Sequence, residues 1–330
     1  MNLSHRTIRR AMLAVVGSAL AGALALPAAA QSTFPSKSLR IVVPFGAGGV
    51  GDLTARIVAA KLSESLGQSV VIENRPGAGG VVAAESVARA EPDGHTLFLM
   101  SNGTAVTANL FKSLPFDTVK DFTPVSTLGF FDIAVVAGAD APYKTLGDVI
   151  AFAKANPDKL NLGSVNIGST QNLAAELLKS TAGIDAQIVP FNGTPALMGA
   201  LRGKQVDVAV EILGPTLPHI RSGALRALAV TGEKRSTILP DVPTAVESGV
   251  AGFVASSWNA LAVPSKTPRD AVMRLNKDIA AALASPDVRQ KLQNLNIDPR
   301  ASSPEQAAAL LASDIQRWGK VIDRAGIPKQ

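Results

Sequence analysis

Short apolar runs alternate with longer amphipathic segments along most of the chain. The runs are rich in valine, isoleucine and leucine and end at turn-forming residues, which is typical of strands buried in a sheet. We predict strands at Leu39–Pro44, Ser69–Glu73, Thr96–Met100, Val125–Leu128, Ile133–Ala137, Asn161–Ser164, Ala186–Pro190, Val206–Val210 and Ala224–Val230. Their alternation with helices predicts an α/β fold with largely parallel sheets.

Segments with apolar residues at helical spacing lie between and after these runs. We predict helices at Leu53–Leu66, Gly80–Ala90, Thr145–Ala155, Thr170–Thr181, Thr194–Leu201, Leu213–Ser222, Pro268–Ala284, Pro286–Leu295 and Pro304–Ala325. The last three each begin at a proline, which suits a first helical turn because an N–H there has no partner within the helix. The pattern predicts that the chain ends in three helices with no strand between them.

The first thirty residues have the composition of an export signal. Arg6, Arg9 and Arg10 supply positive charge, and an apolar run extends over residues 11–26. The small residues 28–30 follow, which is typical of a cleavage site. We predict that residues 1–30 are removed on export, by either the general or the twin-arginine route. A membrane anchor is the less favoured alternative because the apolar run is short.

Charge and cysteine content narrow the class of protein. The chain has 32 Lys and Arg against 26 Asp and Glu, a net charge of +6. Without the three arginines of the signal, 29 basic residues remain and the net charge falls to +3. This mild charge, with no basic cluster interleaved with aromatics, argues against a nucleic-acid partner. The chain has no cysteine, and at this length its core suffices without disulfides.

Two similar glycine loops each follow a predicted strand and precede a predicted helix. They are residues 46–49 and residues 77–80, both with the sequence Gly-Ala-Gly-Gly. In a parallel sheet such loops lie at the strand ends where ligands bind. Backbone N–H groups at a helix start favour an anion. We therefore expect an anion at the first loop, either a dinucleotide pyrophosphate or a carboxylate.

A dinucleotide-binding enzyme is one alternative for the first loop. Gly46, Gly48 and Gly51 form a G-x-G-x-x-G pattern, and Glu73 ends the next strand where a ribose-binding acid would stand. Asp52 argues against it, since its carboxylate would repel a pyrophosphate, and so does the export signal. For Asp52 itself the favoured role is to accept backbone N–H groups and fix the loop, with ligand contact as the alternative.

The sequence shows no recognisable catalytic or metal site. After the signal the only histidines are His95 and His219, and neither has metal-ligand spacing to another His or acid. No G-x-S-x-G nucleophile motif occurs. We expect no metal, no cofactor and no enzymatic activity, and an exported hydrolase of α/β fold is kept as a weak alternative.

A series of short motifs extends over the whole chain after the signal. They are Val43–Gly49 with Asp52 and Ala55-Arg56, Val71–Gly80, Pro92–Leu97, Asp121–Val125, Val189–Gly193, Ser222–Thr231, Pro240–Thr244, Trp318 and Ala325–Ile327. Each motif alone is weak. The ordered set resembles the Bug-type (TctC-like) periplasmic solute-binding receptors of the tripartite tricarboxylate transporters.

The resemblance implies a fold and a function. It implies a two-lobed periplasmic binding protein of type II, or Venus-flytrap, form, with a central cleft and two chain crossings. Lobe 1 is expected at residues 31–130 plus 252–330, and lobe 2 at residues 131–251. The lobes would close by a hinge movement over a small carboxylate, such as an organic, amino or aromatic acid, for uptake or sensing. The protein would be a periplasmic monomer, with transporter membrane subunits as a further partner.

The resemblance also implies the residues that bind the ligand. Backbone N–H groups and hydroxyls hold a carboxylate without a partner cation. The expected ligand-binding residues are Phe45, Gly46, Ala47, Gly48, Gly49, Gly51, Ser101, Asn102, Thr104, Ser164, Asn166, Gly168, Ser169, Thr170, Phe191 and Glu211. Two of them depart from the family. Phe191 replaces a common tyrosine, which makes the wall more apolar. Glu211 replaces an aspartate, and either reaches the ligand or pairs with an Arg or Lys at the hinge.

Overall fold

A mixed ten-stranded sheet runs through the described part of the protein; numbered along the chain, its strands lie in the order 2-1-3-9-4-7-5-6, with strands 8 and 10 also paired to strand 4. The computed structural model describes residues 34–330, so the predicted signal peptide lies outside the described residues. Residues 37–330 form one compact unit. The strands are β1 (Leu39–Val43), β2 (Val70–Asn74), β3 (Thr96–Ser101), β4 (Phe122–Gly138), β5 (Leu160–Val165), β6 (Ala186–Phe191), β7 (Val208–Ile212), β8 (Leu225–Val230), β9 (Ser256–Pro264) and β10 (Ile297–Pro299).

Helices cover the sheet and begin at most of the predicted places. They are α1 (Val50–Leu66), α2 (Val81–Ala88), α3 (Asn102–Leu110), α4 (Leu146–Ala155), α5 (Thr170–Ala182), α6 (Thr194–Arg202), α7 (Leu213–Arg221), α8 (Arg269–Ala284), α9 (Pro286–Asn294) and α10 (Pro304–Ala325). Within the described residues, no helix is both long enough and apolar enough to cross a membrane.

The long strand β4 connects two groups of strands. Its residues up to Asp132 pair antiparallel with β9, and its residues from Ile133 pair with β7 and β8. We call β1, β2, β3, β9, β10 and the first part of β4 the first strand group, and β5–β8 with the rest of β4 the second. The chain passes between the groups within β4 and returns between β8 and β9. The lobe boundaries given above stay a prediction.

Parallel pairing is restricted to the outer strands of each group. The strand β1 pairs parallel with β2 and β3, and β5 pairs parallel with β6 and β7, but every pair made by β4 or β9 is antiparallel. The prediction of largely parallel sheets is therefore wrong for the centre. The two strands predicted at residues 125–128 and 133–137 form one strand, because residues 129–132 also pair with β9.

Three elements were not predicted from the sequence. The helix α3 contains a glycine, two asparagines and two threonines, which weaken its apolar pattern. The strand β9 has Trp258 and Asn259 near its centre, which interrupt the apolar run, although eight of its nine residues are buried. The three-residue strand β10 lies between α9 and α10. The expectation of three terminal helices without a strand is wrong.

The C-terminal helix packs against the first strand group and against α3. Trp318 on α10 is only 1% exposed, and burying such a side chain stabilises the fold by roughly 1.5–3 kcal/mol or more. Asp314, one turn earlier, accepts hydrogen bonds from Asn102 Nδ2 at 2.5 Å and from Trp258 Nε1 at 2.7 Å. The start of α3 and the centre of β9 are thereby tied to α10.

Candidate functional site

Five helices, α1, α3, α5, α6 and α7, begin around a cavity between the two strand groups. The cavity encloses about 440 Å³ of empty space, which includes space open to solvent. Its lining residues are Phe45, Gly46, Gly49, Val50, Gly51, Ser101, Phe131, Val165, Asn166, Thr170, Gln171, Gly193, Thr194, Ile212, Ser257 and Asn259. None of these described lining residues carries a charge, so an anion here would be held by N–H dipoles and neutral polar groups.

The start of α1 forms one wall through its glycine loop. Gly49 is the N-cap residue and supplies no side-chain cap to the N–H groups of the first turn. Asp52 is 2% exposed and does not line the cavity. Its carboxylate accepts hydrogen bonds from the Gly48 N–H, Arg56 Nε and Asn74 Nδ2, all at 3.0 Å. These contacts are the ones expected if Asp52 fixes the glycine loop, which is its favoured role.

Hydrogen bonds also set the ionisation of Asp52. Burial alone would raise the pKa of this carboxyl, but the bonds from Arg56, the Gly48 N–H and Asn74 outweigh burial and hold the pKa below its ordinary value. Asp52 is therefore ionised and balanced by the Arg56 guanidinium, whose Nη2 lies 3.0 Å from Oδ1.

The start of α6 faces the glycine loop from the second strand group. Its N-cap residue Gly193 has φ 98° and ψ 165°, a conformation that favours glycine, and supplies no side-chain cap. A Cβ built at Gly49 would lie 3.5 Å from Thr194 Oγ1, and one built at Gly46 would lie 3.6 Å from Asn192 O. The two uncapped helix starts therefore approach each other closely.

The start of α5 lies beside them and is built differently. Ser169 is the N-cap residue, and its Oγ accepts a hydrogen bond from the Asn172 N–H at 3.1 Å. Thr170 lines the cavity, and its hydroxyl lies 3.2 Å from Ser257 Oγ on β9. This contact joins the two strand groups at the cavity wall.

Only part of the predicted binding set lies on this wall. Phe45, Gly46, Gly49, Gly51, Ser101, Asn166 and Thr170 line the cavity. Thr104 and Gly168 line a smaller neighbouring cavity, which shares Phe45 and Ser101 with the first. For both groups, contact with a ligand stays a prediction.

The other predicted residues lie elsewhere. Ala47 and Gly48 are exposed, and Asn102 is buried against Asp314. Ser164 accepts a hydrogen bond from Asn172 Nδ2, and Phe191 packs against the core around α6. Together with the N-cap Ser169 and the buried Glu211, they do not line the cavity, although their ligand contact stays a prediction.

Sequence reasoning missed about half of the wall. The missed residues are Val50, Phe131, Val165, Gln171, Gly193, Thr194, Ile212, Ser257 and Asn259. Gly193 and Thr194 repeat the pattern of strand, glycine and helix start that identified the first loop, so a signal for them was present. Ser257 and Asn259 lie on β9 and were missed because that strand was not predicted.

Glu211 lies fully buried at the end of β7, behind the wall. Its Oε1 accepts hydrogen bonds from Gln171 Nε2 at 2.8 Å and from the Ile212 N–H at 2.7 Å. Burial raises the pKa of this carboxyl, against the opposing effects of Gln171, the Ile212 N–H and the Thr194 hydroxyl. Among the described residues its Oε2 has no hydrogen-bond partner and no Lys or Arg influences its pKa, so the pairing with a hinge cation is wrong.

No metal site accompanies the cavity in the described part of the chain. Among residues 34–330, no group of three or more His, Asp or Glu side chains is arranged to hold a metal ion. The arrangement that the structure does offer is a set of N–H groups and hydroxyls around an uncharged space. Such a site can bind and orient an anion, and its described lining residues include no Asp, Glu, His or Lys.

Comparison with known proteins identifies the type of receptor. Over residues 54–327 the sequence matches the tripartite tricarboxylate transporter family receptor. The chain belongs to this family. Protein BugT of Bordetella pertussis is 36% identical over 318 residues, which cover 96% of this chain and 97% of BugT. The resemblance inferred from the ordered motifs is thereby confirmed.

Solved structures of related receptors share the fold. The structure of R. palustris Rpa4515 with adipate matches with a TM-score of 0.86 and 34% identity, covering 89% of this chain and 99% of that one. MatC from Rhodopseudomonas palustris with bound malate matches with a TM-score of 0.84 and 35% identity, covering 88% and 100%. The receptor has the two-lobed α/β fold of periplasmic binding proteins, as predicted. Neither the hydrolase nor the dinucleotide-binding enzyme finds support.

Proposed function

We propose that the receptor captures a small carboxylate in the cavity between the strand groups, for uptake or sensing, and that it is not an enzyme. The observation that carries this proposal is the meeting of the starts of α1 and α6. Both lack a side-chain cap, they come from different strand groups, and no charged residue shares the described wall. Their free N–H groups and dipoles favour an anion at that point.

The ligands of two related receptors give further support. Rpa4515 was solved with adipate and MatC with malate, and both ligands are dicarboxylates. The site suits such ligands because charge-assisted hydrogen bonds from N–H groups hold a carboxylate without a buried counter-charge. A ligand held in this way is released when the wall opens.

Membership of the family supports a setting for this function. We place the receptor in the periplasm as a monomer, after removal of residues 1–30, with tripartite tricarboxylate transporter membrane subunits as its partner. Its two lobes, residues 31–130 plus 252–330 and residues 131–251, would close over the ligand by a hinge movement. Close approaches across the cavity, such as Gly49 to Thr194, are the contacts that closure would form.

Thermal denaturation with a panel of acids tests the proposal. The panel contains mono- and dicarboxylates, amino acids and aromatic acids, each with its uncharged amide as control. At one hundred times Kd, binding stabilises the fold by about 2.7 kcal/mol, which raises Tm by a few degrees at this size. A shift with an acid and none with its amide supports carboxylate capture. A shift with NAD alone, or turnover of an ester, would overturn the proposal.

A further inference from the structure

The strand β9 places a buried amide in the cavity wall. Asn259 is 1% exposed, and among residues 34–330 neither its Oδ1 nor its Nδ2 has a hydrogen-bond partner. A buried polar group without a partner costs about 1–3 kcal/mol. Folded proteins keep few such groups, and one that lines a cavity is available to a ligand.

A second unpaired group lies next to this amide. Ser101 on β3 stands directly opposite Asn259 in the antiparallel register, so both side chains project from the same face of the sheet. Ser101 is 3% exposed and lines the same cavity; its Oγ faces the Thr104 N–H in the capping box of α3, but its hydroxyl hydrogen has no acceptor among the described residues. Serine hydroxyl and asparagine amide together offer donors and acceptors side by side.

The other buried polar side chains of the wall are already engaged. Gln171 donates its Nε2 to Glu211, and the hydroxyls of Thr170 and Ser257 lie within hydrogen-bond distance of each other. Among the described lining residues that are buried, Asn259 and Ser101 are therefore the pair with unused polar atoms. The pair adjoins the helix starts proposed to hold the carboxylate, since Gly49 and Gly193 line the same cavity.

We propose that Asn259, together with Ser101, selects a carboxylate that also bears a hydroxyl group. This inference rests on the proposed carboxylate capture. A hydroxyl both donates and accepts, so it can donate to the amide oxygen while accepting from the amide nitrogen or from Ser101 Oγ. A second carboxylate only accepts and an ammonium only donates, and either leaves one end of the amide unpaired. The argument holds for both orientations of the amide.

Pairs of acids that differ by one hydroxyl test the selection. Malate against succinate, lactate against propionate, and mandelate against phenylacetate are titrated calorimetrically into the full receptor. We expect one pair or more to bind, with the hydroxy acid binding roughly tenfold tighter or better, because the plain acid leaves the buried amide unpaired. Equal affinities within every pair that binds would overturn the inference.

Variants of Asn259 then test whether this residue causes the preference for hydroxy acids. Asn259→Leu keeps the approximate shape of the side chain without its polar ends. The ratio of hydroxy-acid affinity to plain-acid affinity should therefore fall to about one. It should fall through loss of hydroxy-acid affinity, while the plain acid binds as before. Asn259→Ala serves as a second variant if the leucine is not accommodated. A ratio that survives in a folded Asn259 variant contradicts the assignment.

A matched control separates the loss of hydroxy-acid affinity at Asn259 from any general effect of removing an amide side chain. Asn276 is half-buried, donates to the Val125 and Ser302 carbonyls at 2.8 Å, and does not line the cavity. Asn276→Ala should lower stability and leave the ratio unchanged. If no acid binds to any form of the receptor, the proposed function itself fails. If acids bind without regard to hydroxyls, only the present inference fails.

Discussion

The starts of α1 and α5 follow the same local pattern but treat their N–H groups in opposite ways. Each helix begins after a strand and a loop containing glycine, and each lines the cavity. At α5 the Ser169 hydroxyl accepts from the first turn, whereas at α1 the N-cap residue Gly49 offers no side chain. The start of α6, with Gly193 as its N-cap, behaves like α1.

The difference shows which helix starts are free for an anion. The first N–H groups of a helix need an acceptor, and a serine cap supplies one from within the protein. A glycine N-cap leaves these donors to solvent or to a ligand. Of these three helix starts on the wall, α5 is structural, whereas α1 and α6 are suited to binding.

Placing a carboxylate at Gly49 should produce the largest effect. Gly49 has φ −80° and ψ 168°, which aspartate adopts without strain, and a Cβ there makes ordinary contacts. Gly49→Asp should lower the affinity for the identified acid at least about 100-fold, because two carboxylates about 4 Å apart repel by roughly 4 kcal/mol near a protein surface. Calorimetric titration measures the affinity.

The stability of the same variant provides the internal check. Aspartate is a favourable N-cap residue, so the free energy of unfolding in urea should stay within a few tenths of a kcal/mol of the original or rise. Gly49→Asn is the matched control, with a similar shape and no charge, and should lose much less affinity. Equal losses for Asp and Asn would mean that no anion lies at α1.

Removing the cap of α5 should have a moderate effect, on stability only. Ser169→Ala deletes the bond to the Asn172 N–H and the bond donated to the Val165 carbonyl. The free energy of unfolding should fall by about 1 kcal/mol, the usual contribution of such a cap. Ser169 does not line the cavity, so the affinity should change less than about threefold. An affinity loss as large as that of Gly49→Asp would remove the distinction between the two helix starts.

Local chemistry explains how much of this site the sequence could predict. The glycine loop before α1 and the start of α5 at Thr170 depend on a few neighbouring residues, and both were predicted from the sequence. The start of α6 has the same kind of local signal. Its position opposite α1 depends on the packing of the two strand groups, which no local pattern encodes.

The wall contributed by β9 could not be predicted for a different reason. Trp258 interrupts the apolar run because it bonds a distant partner, and Asn259 interrupts it because its side chain lies in the cavity wall. Trp258 donates to Asp314, which also accepts from Asn102, 212 residues earlier in the chain. Contacts of this separation are set by the tertiary fold, so the same residues look like a poor strand in the sequence and a well-packed one in the structure.

A buried carboxyl group stands behind each of the two helix starts that have a glycine N-cap, α1 and α6, and the two groups differ in charge balance. Asp52 behind α1 is ionised and paired with Arg56. Glu211, close to Thr194 at the start of α6, has no cation, and burial raises its pKa. The charge behind the start of α1 is thus insensitive to pH in the neutral range. Behind the start of α6, Glu211 gains an unbalanced negative charge as the pH rises.

Glu211→Gln should remove this pH dependence, the smallest of the expected effects. A buried acid with a raised pKa favours the folded state most at low pH. Its contribution is fully present below the ordinary value of 4.5 and is lost as the pH rises through the folded pKa. Glutamine matches the protonated acid, so the stability of the variant relative to the original should increase with pH across that window and be constant on either side. Urea denaturation from pH 4 to pH 9 measures the difference.

Asp132 is the matched control for this titration. Its carboxyl is half-buried, which raises its pKa against the effect of Asn296, but it does not line the cavity. Asp132→Asn should change the stability profile in the same direction. Only Glu211→Gln should also reduce the weakening of acid binding with rising pH, because only Glu211 ionises beside an uncapped helix start. If both variants alter the pH dependence of binding equally, the charge behind α6 has no special relation to the ligand.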